Sequence, residues 1–129
     1  MAGALSTALL LAWMKTTCAH YGVEYEFAHA VGIVESRPKG GGMEMRVGPL
    51  GKSGRVVGPM GIAKCFASKY DIYNVFTNVE LGVKALRGAD KRRVLRRYNP
   101  ESTPAYTQAV LRTYRQLKRE SAEAKSAGQ

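Results

Sequence analysis

The sequence predicts a mainly α domain of the α+β class, with one small β-hairpin set among its helices. Three observations carry that prediction. Apolar residues recur at helical spacing on both sides of a glycine-rich segment spanning residues 39–58, that segment carries the turn residues of a hairpin, and 129 residues suffice for one core but not two.

The first element is a helix running to about His20, with Leu5, Leu9 and Trp13 on one face. Its apolar run Leu9-Leu10-Leu11 resembles a secretory signal core. No positive region precedes that run, which is also too short to span a bilayer, so neither a classical signal nor a membrane span is expected. Gly22 should end this helix, and Val23 begins a short connection. Phe27, Val31 and Val34 then mark a buried helix that Pro38 stops at Arg37. Within the glycine-rich segment, Met43–Val47 and Arg55–Val57 are the expected hairpin strands.

A helical segment should restart near Ile62. Val79, Val83 and Leu86 mark the next helix, with Asn78 as its cap. Gly88-Ala89-Asp90 breaks it, and Lys91 to Tyr98 forms a short helix. Thr103-Pro104 starts the last one, which buries Tyr106, Val110, Tyr114 and Leu117. The domain is read as residues 1–120, and 121–129, lacking an apolar stripe, as a frayed tail.

Composition narrows the partners. The net charge of +10 favours polyanions: nucleic acid, an anionic membrane, or an anionic wall polymer. Cys18 and Cys65 lack the clustered spacing of a zinc site, and either one disulfide or two buried thiols fits them. His20 and His29 read as structural. No metal or organic cofactor is indicated.

Glu35 is the candidate catalytic residue. It lies on the last turn of the second helix, after the apolar run 27–34 and before the glycine-rich loop. Burial raises a carboxyl pKa and keeps an acid protonated near neutral pH, which glycosidic cleavage requires.

Five short pieces then stand in order: Ala30-Val31-Gly32-Ile33-Val34-Glu35-Ser36, Gly58-Pro59-Met60-Gly61-Ile62-Ala63-Lys64, Asn78 to Leu86, Tyr98-Asn99, and Tyr106 to Val110. Together they resemble the soluble lytic transglycosylase catalytic domain of the lysozyme-like superfamily, over most of the chain. The resemblance implies a lysozyme-like fold and action on peptidoglycan. The bond cut would be the β-1,4 linkage from N-acetylmuramic acid to N-acetylglucosamine, with a 1,6-anhydro product. Glu35 would serve as acid and then base, and Tyr98 would hydrogen-bond it. Ser36, the Met60-Gly61 backbone and Asn99 would line the glycan cleft. The departures are Ala63 and Lys64, where the family usually has Met and Gln, Arg96-Arg97 before the Tyr-Asn pair, Pro100 after it, and a longer loop after Glu35.

The setting expected is the bacterial cell wall, in the periplasm, reached by carriage in a phage virion or through a secretion apparatus. Other readings stay open. Glu44 is either a solvated hairpin carboxylate or a second carboxylate that activates water, which would make the protein a muramidase. Tyr98 and Met60 can be simple core residues, and Gly58 and Gly61 simple turn residues. Lys91-Arg92-Arg93 and Arg96-Arg97 are a solvated helix face or a nucleic-acid surface, although no DNA-reading motif accompanies them and no specific nucleic acid is expected. A non-catalytic wall-binding protein on the same fold completes the alternatives.

Overall fold

The computed structural model describes residues 7–36, 56–57, 59–63, 74–100 and 103–128. Its elements are α1 (Thr7–Tyr21), α2 (Tyr25–Ser36), β1 (Val56–Val57), β2 (Ile62–Ala63), α3 (Val75–Ala85), α4 (Lys91–Tyr98) and α5 (Pro104–Ala127). The fold is mainly helical. Among the described residues no helix is long and apolar enough to cross a membrane.

α1 buries Leu10, Met14, Thr17 and Cys18, not the face marked by Leu9 and Trp13. Leu9 is 52% exposed, while Trp13 is half-buried and donates its indole N–H to the Phe76 carbonyl at 2.9 Å. The apolar run of α1 surrounds the helix, so periodicity carried no phase there. The helix ends as expected at Gly22, whose φ of 71° is left-handed. The Val23 N–H reaches back to the Cys18 carbonyl at 3.0 Å, the six-to-one bond of a Schellman cap, and Val23 itself is buried.

α2 is the central helix and packs chiefly against α5 and α1. Phe27, Ala28, Ala30, Val31, Gly32 and Ile33 are all buried, so most of its circumference is covered. Burying Phe27, Val31 and Ile33 contributes about 1.5–3 kcal/mol each. At its start, Glu24 accepts bonds from the Tyr114 hydroxyl at 2.8 Å and from Lys118 at 2.9 Å, and pairs with Lys91 at 3.4 Å. That hub ties α2 to both α4 and α5. At its other end the last described helical residue is Ser36; Arg37 and Pro38 lie outside the described residues.

The only β pairing among the described residues is antiparallel, Val56 with Ala63 and Val57 with Ile62. It differs from the expected hairpin: segment 43–47 lies outside the described residues, and the partner of Val56–Val57 is the stretch where a helix was expected to restart. The reason is Gly61, whose φ of 62° makes a turn and not a helical step.

α3 is capped by Asn74, which accepts from the N–H groups of Phe76 at 3.0 Å and Thr77 at 3.2 Å. Asn78, expected as the cap, lies inside the helix and is fully buried. α4 runs from Lys91 to Tyr98 as expected, with Asp90 capping it through the Arg93 N–H. α5 starts at Pro104 and continues to Ala127, so residues 121–127 extend the helix where a frayed tail was expected. Ala122, Glu123, Ala124 and Lys125 are strong helix formers, and intrinsic propensity continues a helix that packing has already nucleated. The core is one cluster drawn from all five helices together with Met60 and Ile62.

Candidate active site

Glu35 is the penultimate residue of α2, and its side chain is half-buried. Its Oε2 accepts a hydrogen bond from the Tyr106 hydroxyl of α5 at 2.6 Å. Its Oε1 lies against the Met60-Gly61 turn: a Cβ added to Gly61 would sit 2.7 Å from that oxygen. Gly61 is therefore required twice, by its left-handed φ and by the approach of the carboxyl group.

The turn itself is clamped from three sides. The Met60 N–H donates to Asn78 Oδ1 at 3.0 Å, and the Met60 carbonyl accepts from the Tyr98 hydroxyl. The Met60 side chain is fully buried on Gly82, where an added Cβ would meet Met60 carbons at 2.6–2.8 Å. Asn78 and Gly82 are one helical turn apart and share a face of α3, which thus holds Met60 by both backbone and side chain. α3 and α4 position the turn, the turn meets Glu35 on α2, and α5 supplies the tyrosine that bonds it.

Both phenols are held neutral. Burial raises the Tyr98 pKa well above its ordinary value, and the Glu35 charge adds to it. Burial likewise raises Tyr106, followed by the Glu35 charge and the bond to Glu35. Each remains a hydrogen-bond donor throughout the working pH range. A neutral phenol on Oε2 fixes the orientation of the Glu35 carboxyl group.

Of the residues expected from sequence, Glu35, Met60, Gly61 and Tyr98 come together. Tyr98 acts differently from expectation: its proton goes to the Met60 carbonyl, and Tyr106 is the residue that bonds Glu35. Ser36 follows Glu35, but its hydroxyl donates back to the Gly32 carbonyl at 2.6 Å. Asn99 ends α4 beside Tyr98, with its N–H on the Leu95 carbonyl. Glu44 lies outside the described residues, as do Gly58, Lys64 and Cys65. Cys18 is a free thiol buried in α1, pushed up to about 12 by burial and by the Glu26 charge. His29 stacks on Tyr25, and burial lowers its pKa.

Sequence reading missed the roles of Tyr106 and Asn78. The available signals were a hydroxyl-bearing aromatic in the first turn after Pro104, and an asparagine on the apolar side of a helix already capped by Asn74. Comparison with protein-family models, with curated proteins and with solved structures returned no match.

Proposed function

We propose that this protein is a peptidoglycan lytic transglycosylase on a lysozyme-like fold, with a small hairpin after the catalytic helix and Glu35 as general acid and base. The observation that carries the reading is the Glu35 carboxyl held between the Tyr106 hydroxyl and the Gly61 backbone. The ordered motifs around Glu35-Ser36, Met60-Gly61 and Tyr98-Asn99 support the substrate class.

In this reading Tyr106 holds the Glu35 carboxyl through Oε2, and Glu35 carries the transferable proton. Glu35 gives that proton to the oxygen linking muramic acid to glucosamine, and the glucosamine end departs. The substrate's N-acetyl group shields the charge at the anomeric carbon. The Glu35 carboxylate then takes the proton of the muramoyl C6 hydroxyl, whose oxygen closes on C1. The product is a 1,6-anhydro sugar and no water is consumed. A tethered hydroxyl has an effective concentration far above that of a free reactant, so one carboxylate suffices. Tyr98 and Asn78 act at one remove, by fixing the Met60-Gly61 turn against Glu35. Ser36 and Asn99 border the cleft.

The proposed setting is local opening of the cell wall, with the enzyme carried in a phage particle. The +10 charge suits approach to an anionic wall. Absence of the protein from purified virions would remove that setting but not the chemistry. The chemistry is tested by the mass of soluble products from purified peptidoglycan. Anhydro-muropeptides are expected; products one water heavier would replace the transglycosylase with a muramidase and direct attention to Glu44.

A further inference from the structure

α4 presents two chemistries on two faces. Inward, Val94 and Leu95 are buried and Tyr98 holds the Met60 carbonyl. Outward, Arg92, Arg93, Arg96 and Arg97 are exposed. Arg97 crosses to the end of α3, where its Nη2 donates to the carbonyls of Ala85 at 3.1 Å and Arg87 at 2.5 Å. Arg87 in turn donates Nε–H to the Lys84 carbonyl at 3.0 Å, and its guanidinium lies 5.8 Å from the centre of the Tyr21 ring. Both guanidinium groups are thus anchored on backbone carbonyls at a helix C-terminus, where the dipole favours cations.

With Lys84 these groups line a solvent-open hollow around Gly88. Each guanidinium has five N–H donors and commits only part of them to the fold, so donors remain for a ligand. The acids on these two elements are already engaged: Glu80 accepts from Tyr21, and Asp90 caps α4. A hollow of pre-positioned forks with donors to spare suits a carboxylate or phosphate oxyanion.

We infer that this α3–α4 corner binds the carboxylates of peptidoglycan peptide stems, an inference that rests on the transglycosylase reading above. Position supports this occupant: Arg97 directly precedes Tyr98, whose hydroxyl holds the Met60 carbonyl of the turn that meets Glu35, so one short helix joins the basic corner to the carboxyl group. A single-stranded nucleic acid would need aromatic platforms, and no aromatic residue lines the hollow among the described residues.

The test uses the Glu35→Gln protein, so that binding is read without turnover. Cosedimentation is measured with purified peptidoglycan, with the same material after an amidase has removed its stems, and with short duplex DNA as competitor. The double variant Lys84→Gln/Arg87→Gln should weaken binding to stem-bearing material about tenfold and leave binding to stem-free glycan unchanged. Lys84→Glu, which alters a solvent-facing side chain outside the packed core, should act in the same direction without disturbing packing. Unchanged binding by both variants, or binding indifferent to stem removal, would overturn the inference. Full displacement by duplex DNA would reassign the surface to nucleic acid. Stem-dependent binding without anhydro product from the unsubstituted protein would defeat the catalytic reading and leave the corner's role standing.

Discussion

Replacing Gly61 with alanine separates the catalytic geometry from ordinary turn strain. Two penalties arise at this position. The left-handed φ costs an L-residue about 1–2 kcal/mol. The added Cβ would stand 2.7 Å from Glu35 Oε1, whereas ordinary contact begins near 3.4 Å, so carboxylate or turn must yield by about 0.7 Å. A displacement near 1 Å at a reacting group costs on the order of 100-fold in rate. Gly22 supplies the control. It has a φ of 71° with nothing within 4 Å of an added Cβ, so Gly22→Ala reports the backbone penalty alone. Denaturant unfolding should show both variants destabilised by about 1 kcal/mol or more. Release of anhydro-muropeptides should fall roughly 30- to 100-fold in Gly61→Ala and stay within about twofold in Gly22→Ala. Near-normal turnover by a folded Gly61→Ala protein would refute the contact between turn and acid.

Other consequences can be measured separately. Tyr106→Phe removes the bond to Glu35 Oε2 from a half-buried pair, which should lower unfolding stability by about 1.5–2 kcal/mol and turnover roughly 10- to 30-fold. Tyr98→Phe loosens the Met60 carbonyl and should also lower stability along with activity, acting through the turn and not on Glu35 itself. Asn78→Ala leaves the buried Met60 N–H without its acceptor and should cost about 1–3 kcal/mol in denaturant unfolding; an unchanged midpoint would show that the turn does not depend on α3. At Glu24, burial pushes the carboxyl pKa up, but the bonds from Lys118, Tyr114 and Lys91 outweigh it and hold the carboxyl below its ordinary value of 4.5. Its contribution is therefore fully present above pH 4.5 and is lost as pH falls through the lower folded value. Glu24→Gln should flatten the acid side of a stability-versus-pH curve, and parallel curves would contradict that assignment.

How far the sequence reveals this architecture depends on whether its signals are local. Lys91–Tyr98 is legible because Gly88-Ala89-Asp90 punctuates it and Val94 and Leu95 supply an inner face. Gly22 and Thr103-Pro104 mark helix ends for equally local reasons. The phase of α1 is not legible, since Ala8 to Ala12 is apolar all round and only packing against α3 selects Leu10 and Met14. Asn74 and Asn78 compete as caps one turn apart, and the choice is made by Met60, eighteen residues earlier in the chain. Glu35 is recognisable from its place at a helix end before a glycine-rich loop. Tyr106, which donates to it, is separated from it by 71 positions and is set apart from Tyr98 by the way α5 packs on α2. The end of α5 depends on propensity continuing a packed helix, which the lack of an apolar stripe conceals.

The most direct test of the central claim compares the unsubstituted protein with Glu35→Gln on purified peptidoglycan, reading anhydro-muropeptides by mass spectrometry and fold by circular dichroism. The glutamine keeps the size of the side chain and its acceptor oxygen for Tyr106 but cannot shuttle a proton. Loss of at least about 1,000-fold in product by a variant with an unchanged spectrum is the outcome expected of a sole acid and base. Comparable product from the two proteins would contradict the account, because no assignment of Glu35 as the proton carrier could then stand.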